Sequence, residues 1–228
     1  MNKQNGPDLR AGALELGLDL AVETLEKLEL FLNELGRWNL VHNLTAIEEK
    51  EDVIDLHLID SIAIYPKILA LLANRSEDLS SLKILDLGSG GGLPAIPLAI
   101  MRPDWSFVLV EASRKKAAFL QHIRGKLQLQ NIEILAVRAE TAALQRPSEF
   151  DFVTARAFSK LKNLLHFAHP FLKATGLVLA MKSKRAPEEI AEIDPGLWRL
   201  DGDLAIDVPG RTLERRLLVY RPMRKFDI

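Results

Sequence analysis

Three glycines and a downstream carboxylate form the pattern in this chain that points most directly to chemistry. Residues 84–94 read Ile-Leu-Asp-Leu-Gly-Ser-Gly-Gly-Gly-Leu-Pro, so glycine occupies every second position from Gly88 to Gly92. Because glycine lacks a Cβ and adopts positive φ without cost, a ligand can approach the main chain closely at such a turn. Glu111 follows roughly 20 residues later, the offset at which a carboxylate binds ribose hydroxyls. The pattern predicts a nucleotide-like cofactor held by Gly88, Gly90 and Glu111.

The spacing of the glycines separates two cofactors that fit this outline. A dinucleotide turn reads Gly-x-Gly-x-x-Gly and its helix N-terminus carries the pyrophosphate, whereas this turn reads Gly-x-Gly-x-Gly. Asp86, two residues before the first glycine, would repel a pyrophosphate but suits the ammonium and sulfonium cations of S-adenosylmethionine (SAM). We therefore expect SAM. An NAD-dependent oxidoreductase, or a tight turn in some other α/β protein, is the alternative.

A third contact region is predicted just after the third strand, at residues 137–140. Adenine could bind there to backbone groups, with Glu140 adding a side-chain contact. Alternatively, Glu140 is a charge at a helix N-terminus, where the helix dipole favours it. The sequence leaves both interpretations open.

Several absences narrow the identity of the methyl acceptor. The chain has no cysteine, which excludes disulfides, cysteine-ligated metals and pyrimidine C5 methylation through a cysteine nucleophile. Residues 151–156 read Asp-Phe-Val-Thr-Ala-Arg and lack the Asn/Asp-Pro-Pro-aromatic motif of adenine amino-group methylation. Guanine N7 has a free lone pair at neutral pH, so its methylation needs positioning but no general base. Arg156 could bind guanine O6 or a phosphate, or else pair with a local carboxylate.

The elements that must position these residues follow from hydrophobic periodicity. Alternating strand and helix patterns after residue 82 favour a doubly wound, mostly parallel sheet. We predict strands at 82–87, 106–111, 132–137, 150–155 and 177–182, helices through 100 and at 115–127 and 161–169, and an antiparallel hairpin of 197–208 with 213–221. Residues 1 to about 75 show helical periodicity, with Gly36 ending or loosening one helix and Pro66 dividing another. A polar connector is predicted at 74–81.

Composition sets the remaining limits. A net charge of −1 argues against a generally polycationic nucleic-acid binder but permits local basic patches. The N-terminus has no apolar signal segment, and no stretch approaches the roughly 20 apolar residues that span a membrane, so we expect a cytoplasmic protein. The five histidines lack metal-ligand spacing, and no metal is predicted.

Short motifs occurring in order along nearly the whole chain resemble those of one enzyme family. They are Asn-Leu-Thr-Ala at 43–46, His-Leu-Ile-Asp-Ser at 57–61, the glycine turn with Ile-Pro-Leu-Ala-Ile at 96–100, Lys116 with Phe119 and Leu120, Arg-Ala-Glu at 138–140 and Arg-Ala-Phe at 156–158. This set is similar to that of the 16S ribosomal RNA guanine-N7 methyltransferases, also called glucose-inhibited division protein B.

The resemblance implies a fold and a reaction. The implied fold is the α/β class I SAM-dependent methyltransferase fold, a Rossmann-like, doubly wound, mostly parallel seven-stranded sheet. An N-terminal helical extension (1–75) would pack on this methyltransferase domain (76–228). The implied reaction is transfer of a methyl group from SAM to N7 of a guanosine near the decoding region of 16S ribosomal RNA, with S-adenosylhomocysteine as product. The partner would be the small ribosomal subunit or its assembly intermediate, and the enzyme a bacterial monomer without a membrane association.

The resemblance also assigns residues. Cofactor contacts match at Gly88, Leu93, Ala139, Glu140 and Arg156. Candidate catalytic or substrate-side residues are Arg156, Lys182, His57, Asn43 and Asp60. His57, Asp60 and Ser61 share one helix face, where a hydrogen-bonded helix junction is the alternative interpretation. Two departures from the family pattern are Ala95, where glycine is usual, and Ser183 after Lys182, since serine resists positive φ.

Basic residues and one aromatic residue are candidates for RNA contact. Phe158 could stack a splayed base. The basic residues could bind phosphates, with solvated surface charge as the alternative. They are Lys182, Lys184, Arg185, Arg211, Arg215, Arg216, Arg221, Arg224, Lys225, Arg114, Lys115 and Lys116. Alternative functions are a class I methyltransferase acting on a small molecule or protein, and a non-catalytic SAM- or RNA-binding module.

Overall fold

A seven-stranded sheet with helices on both faces forms the described part of the chain. The structure is a computed structural model and describes residues 9–42, 58–73, 81–156, 158, 160–183, 186–209 and 214–223. The strands are β1 (Lys83–Leu87), β2 (Ser106–Val110), β3 (Ile132–Leu135), β4 (Phe150–Arg156), β5 (Leu172–Lys182), β6 (Trp198–Ala205) and β7 (Arg216–Pro222). Their order is β3-β2-β1-β4-β5-β7-β6, with β1 to β5 parallel and β7 antiparallel to β5 and β6. The predicted doubly wound, mostly parallel sheet with a C-terminal hairpin is confirmed.

The helices precede the sheet and alternate with its strands. They are α1 (Leu9–Glu15), α2 (Val22–His42), α3 (Tyr65–Ala73), α4 (Ala95–Met101), α5 (Arg114–Lys126), α6 (Ala139–Gln145), α7 (Leu161–Ala168) and α8 (Ala186–Ala191). Residues 58–62 are also helical, and a 3₁₀ turn covers His169–Phe171. None of the helices in the described ranges combines the length and apolar character needed to cross a bilayer.

The helix prediction for the N-terminal region is wrong at Gly36. Helix α2 continues through this residue, and the real break lies earlier, at Gly17, whose φ is +75°. A glycine inside a helix costs about 1 kcal/mol relative to alanine. Burial of Phe31 and Leu35 on the same helix outweighs that cost, since each buried side chain of this size contributes about 1.5–3 kcal/mol.

The prediction for Pro66 is confirmed, because the helical stretch is divided there. Pro66 is the second residue of α3, within the first turn, where a backbone N–H has no intrahelical acceptor and its loss is tolerated. The connector predicted at 74–81 lies almost wholly outside the described residues.

Two features of the sheet region differ from the sequence prediction. Strand β5 begins at Leu172 rather than 177, because Leu172 pairs with Phe150 of β4 although residues 173–175 lack apolar character. The short helix α8 was not predicted, since one or two turns carry too little periodicity to detect, and α6 was anticipated only in the helix-dipole interpretation of Glu140.

Alternate residues of each strand pack into two separate apolar clusters, one on each face of the sheet. The first cluster contains Ile84, Phe107 and Phe152 together with side chains of α1 to α5 and of residues 58–62. The second contains Leu85 and Val153 together with side chains of α6, α7 and α8. The N-terminal helices therefore bury their apolar side chains in the same cluster as one face of the sheet.

Candidate cofactor and active site

The ends of the parallel strands bring the predicted cofactor residues to one edge of the sheet. Leu87 of β1 is in register with Val110 of β2, and Val110 with Leu135 of β3. The glycine turn, Glu111 and the start of α6 each follow one of these strand ends. We call this the carboxyl edge, and in doubly wound sheets it is where ligands bind.

The glycine turn has the open main chain that the sequence predicted. Gly88, Gly90 and Gly92 have φ values of +69°, +55° and +82°. A Cβ on Gly92 would lie 2.5 Å from Cγ1 of Ile96, so packing requires glycine there. A Cβ on Gly90 would meet nothing nearer than the carbonyl oxygen of Gly88, at 3.8 Å, which leaves space beside the main chain at Gly90.

Glu111 ties the glycine turn to the loop after β2. Its Oε2 accepts a hydrogen bond from the Gly90 backbone N–H at 2.9 Å, and its Oε1 accepts one from the Ser113 N–H at 2.7 Å. A carboxylate has roughly four acceptor positions, so these two bonds leave capacity for a ribose diol. The buried carboxylate therefore stands at the turn in the place expected of a ribose ligand.

Asp86 provides a buried acceptor whose hydrogen bonding is incomplete. Its Oδ1 accepts a hydrogen bond from the Thr154 hydroxyl at 3.0 Å, while its Oδ2 is buried and has no hydrogen-bond partner among the described residues. Burial raises the pKa of Asp86 to about 7, although the hydrogen bond from Thr154 and the charge of Arg156 act to lower it. A buried acceptor without a partner is costly, and a cationic ligand group would satisfy it.

The residues expected around adenine and beside the turn differ in exposure. Leu93 is buried in the core cluster. Ala139 is half-buried at the start of α6, and Glu140 is exposed in the first turn of that helix. The position of Glu140 fits the helix-dipole interpretation, and contact of Ala139 and Glu140 with adenine stays a prediction.

Arg156 pairs with a carboxylate, which is the alternative that the sequence left open. Its Nη1 donates to Oδ2 of Asp60 at 3.5 Å, and Nε of Arg215 donates to Oδ1 of the same carboxylate at 3.0 Å. Burial lowers the pKa of the Arg156 guanidinium, and the charge of Asp60 acts in the opposite direction. We call Asp60, Arg156 and Arg215 the Asp60 triad.

Lys182 reaches the carboxyl edge from the other face of the sheet. Its neighbour Met181 packs in the first cluster, so Lys182 points to the face that α8 covers. There its Nζ donates to Oε2 of Glu189 at 2.7 Å. Arg156 and Lys182 thus lie at one edge but on opposite faces, whereas Asn43 and His57 lie outside the described residues.

Comparison with known proteins identifies the family. The model for GidB, rRNA small subunit methyltransferase G, matches residues 24–212. The chain belongs to this family. A relative in Polynucleobacter asymbioticus, named Ribosomal RNA small subunit methyltransferase G, is 51% identical over 96% of this chain and 97% of its own length. A relative of the same name in Methylobacillus flagellatus is 37% identical over 96% of this chain and 98% of its own length.

A solved structure supports the fold class as well. A SAM-dependent methyltransferase from Aquifex aeolicus is similar with a TM-score of 0.52 at 18% sequence identity, over 72% of this chain and 91% of that one. At this identity the likeness shows the fold alone, and it agrees with the class I methyltransferase architecture expected of the GidB family.

The described basic residues of the C-terminal region are paired within the protein. Arg216 donates to Asp203, and Arg199 and Arg221 both donate to Asp201. Their carboxylate partners weaken the interpretation of these arginines as phosphate contacts. Arg114, Lys115 and Lys116 instead begin α5, close to Glu111 in sequence, and the first two are exposed. Lys184, Arg185, Arg211, Arg224 and Lys225 lie outside the described residues.

Phe158 lies against the glycine turn. A Cβ on Gly88 would come within 3.1 Å of its ring, and the ring meets Phe167 edge-on with the centroids 6.0 Å apart. Stacking of a base on Phe158 stays a prediction. Among the described residues no group of three or more histidine and acidic side chains is arranged to hold a metal ion.

Sequence reasoning missed two partners of the site residues. Thr154 bonds Asp86 because the two are in register on β4 and β1, which only the strand pairing reveals. Glu189 binds Lys182 from the short helix α8, which the periodicity did not detect. The sequence placed Thr154 on the fourth predicted strand but did not show which residue it faces, and it gave no indication of Glu189.

Proposed function

We propose that this protein transfers a methyl group from SAM to N7 of a guanosine in 16S ribosomal RNA. The observation that carries the proposal is the family match over residues 24–212, which includes the glycine turn, Glu111 and Arg156. The relatives that match almost the whole chain are named as small-subunit ribosomal RNA methyltransferases. The acceptor in this chain would be the small subunit or its assembly intermediate.

The proposed organisation and setting complete this picture. An N-terminal helical extension (1–75) packs on a methyltransferase domain (76–228), and the enzyme acts as a monomer in the cytoplasm. The packing of α1 to α3 in the same apolar cluster as one face of the sheet supports the first part.

The residues at the carboxyl edge fit SAM. Main-chain groups of Gly88 and Gly90 line the open turn, Glu111 offers acceptors to a ribose diol, and the Oδ2 of Asp86 is an acceptor suited to a cation. SAM, when bound, supplies an electrophilic methyl group on its sulfonium. Among the described residues, the donors and acceptors of this edge are thus matched to a positively charged nucleoside rather than to a pyrophosphate.

Methyl transfer to guanine N7 requires the protein mainly to position the two reactants and to provide a suitable electrostatic environment. The N7 lone pair of guanine would form the new bond to the methyl carbon as the carbon–sulfur bond of SAM breaks and S-adenosylhomocysteine leaves. Because no proton has to leave, no general base is required. Arg156 at the end of β4 is the candidate donor to guanine O6. Methylation leaves a positive charge on the base, and the ionised form of the buried Asp86 would give the site a negative charge nearby, whereas Asp60 is already paired with two arginines.

A labelling experiment tests this function. Small subunits from cells lacking the gene would be incubated with the protein and methyl-labelled SAM, beside subunits from cells that carry the gene as a matched control. We expect label in 16S RNA of the first sample, released as N7-methylguanosine, and little in the second, whose site is already modified. Absence of label in RNA, or label in a different nucleoside, contradicts the proposal.

A further inference from the structure

Asp60 joins three distant parts of the chain at the candidate active site. It belongs to the helical residues 58–62, Arg156 ends β4, and Arg215 directly precedes β7. The two hydrogen bonds span 96 and 155 residues of sequence. Each carboxylate oxygen of this buried aspartate serves a different arginine, so one side chain fixes both guanidinium groups.

The electrostatics of Arg156 depend on this carboxylate. The charge of Arg215 lowers the pKa of Arg156, whereas the charges of Asp60 and Asp86 raise it. Without Asp60, the repulsion between two neighbouring, mostly buried guanidinium groups would no longer be offset by the carboxylate between them. Asp60 therefore contributes to the position that Arg156 holds between the N-terminal helices and the strand end.

We propose that Asp60 is a positioning residue that holds the Arg156 guanidinium in the orientation needed to bind the guanosine substrate. The inference rests on the proposed function, because it assigns Arg156 to the acceptor side rather than to the cofactor contact that the family resemblance implies. An arginine presents its donors in a rigid planar fork, so its usefulness to guanine O6 depends on its orientation. A displacement of about 1 Å at a reacting site costs on the order of 100-fold in rate.

A double-mutant cycle between Asp60 and Arg156 tests this inference. The variants are Asp60→Asn, Arg156→Lys and the two combined, with Asp201→Asn as a matched control at another aspartate held by two arginines. The measurements are kcat and KM on small subunits lacking the modification, the Kd of SAM by calorimetry, and Tm.

We expect Asp60→Asn to lower kcat about 100-fold while the SAM Kd stays close to that of the wild type. The double variant should be no slower than Arg156→Lys alone, since a residue acting through Arg156 has no further effect once Arg156 is altered. Asp201→Asn should keep the wild-type kcat. Asp60→Glu retains the charge and should recover part of the lost kcat; if Asp60→Asn fails to fold, this variant takes its place in the cycle.

Two results would overturn the inference. One is a loss of kcat in the double variant that equals the product of the losses in the two single variants. The other is a loss of kcat that parallels loss of SAM affinity and Tm and disappears on cooling, which marks a purely structural role. If the wild type labels RNA and either result occurs, the inference alone fails. If the wild type does not label RNA, the proposed function fails, and the inference with it.

Discussion

Among the described residues, two aspartates are each held between two arginines, and one of the two lies at the candidate active site. In the Asp60 triad, the arginines contribute one hydrogen bond to each carboxylate oxygen. In the Asp201 triad (Asp201, Arg199 and Arg221), Nε of Arg199 donates to one oxygen at 2.6 Å and Nε of Arg221 to the other at 2.9 Å. The residue types are the same, although in the Asp201 triad Arg221 also donates through Nη2, to the oxygen that its Nε contacts.

The two triads differ in burial and in the elements that they connect. The arginine side chains are 18% and 25% exposed in the Asp60 triad, against 52% and 42% in the Asp201 triad. The Asp201 triad stays within the β6–β7 hairpin, whereas the Asp60 triad links the N-terminal helices to β4 and β7. The same residue types therefore support the candidate site in the Asp60 triad and add only a surface contact in the Asp201 triad. The reason is that solvent screens exposed ion pairs much more than buried ones.

The largest expected effect is on stability when Asp60 is removed. Asp60→Ala leaves two mostly buried guanidinium groups without their shared carboxylate, and breaking a buried pair in this way costs about 3–5 kcal/mol. Because two arginines lose this carboxylate at once, we expect a loss near the upper end of that range in urea unfolding. Asp201→Ala is the control, and equal losses in both variants would contradict the difference between the triads.

Asp86 is the next test, because it is a buried carboxyl group without an arginine hydrogen bond in the described residues. Its pKa of about 7 lies above the ordinary 3.8, so the folded state retains a proton that the unfolded state releases. Stability therefore falls as pH rises from about 4 to about 7, by about 4 kcal/mol at 1.36 kcal/mol per pKa unit.

The variant Asp86→Asn removes this ionisation and should weaken SAM binding. We expect the cofactor-free variant to unfold at a higher temperature than the wild type at pH 8, with a smaller difference at pH 5. If the Tm of the two proteins changed with pH in parallel, ionisation of Asp86 could not be the cause of the fall in stability with rising pH.

Glu34 is a buried carboxylate whose partners on α5 are partly exposed. From α2 it binds His122 at 2.7 Å and Lys126 at 3.0 Å, and both partner side chains are more than a third exposed. Burial acts to raise the pKa of Glu34, but the hydrogen bonds from His122 and Lys126 outweigh it and hold the pKa below its ordinary value.

For Glu34→Gln we expect a loss between those of the two triads, about 1–2 kcal/mol at pH 7. Because the folded-state pKa is lowered, the contribution of Glu34 is present above the ordinary pKa of 4.5 and declines as pH falls through the lowered value. Wild type and variant should thus converge in acid. A difference in Tm that persists at pH 3 would show that packing, not charge, is lost.

The smallest effect belongs to Asp201→Asn. Burial acts to raise the pKa of Asp201, and the hydrogen bonds from Arg199 and Arg221 reverse this and lower it. Exposed pairs contribute about 0.2–1 kcal/mol each, and asparagine keeps one acceptor oxygen for one of the two arginines, so we expect a loss of at most about 1 kcal/mol. The loss should shrink in 1 M salt, where the Debye length is about 3 Å. A salt-independent loss would place this triad in the same class as the Asp60 triad.

Local patterns allowed much of the sheet to be predicted from sequence. The first four strands are rich in apolar residues, and the closely spaced glycines from Gly88 to Gly92 are typical of a tight, ligand-binding turn. Both depend on neighbouring residues, which the sequence displays directly. The helix break at Gly36 was wrong because a local propensity was outweighed by burial in the tertiary structure.

The connections within the site could not be predicted in the same way. The bond between Asp60 and Arg215 depends on β7 lying beside β5, so that the last strand of the chain lies between β5 and β6 in the sheet. The pairing of Lys182 with Glu189 depends on a helix of six residues that has no detectable period. Residue types indicated a site at the carboxyl edge, and only the packing shows which charges are already neutralised there.

Mapping of N7-methylguanosine in cells tests the central claim most directly. In a strain lacking the gene, 16S ribosomal RNA would be compared after complementation with the wild-type, Asp60→Asn and Asp201→Asn proteins, at matched protein levels. We predict that one N7-methylguanosine is absent from the deletion strain, is restored fully by the wild type and Asp201→Asn, and is restored poorly by Asp60→Asn. Persistence of every N7-methylguanosine of 16S RNA in the deletion strain would contradict the account.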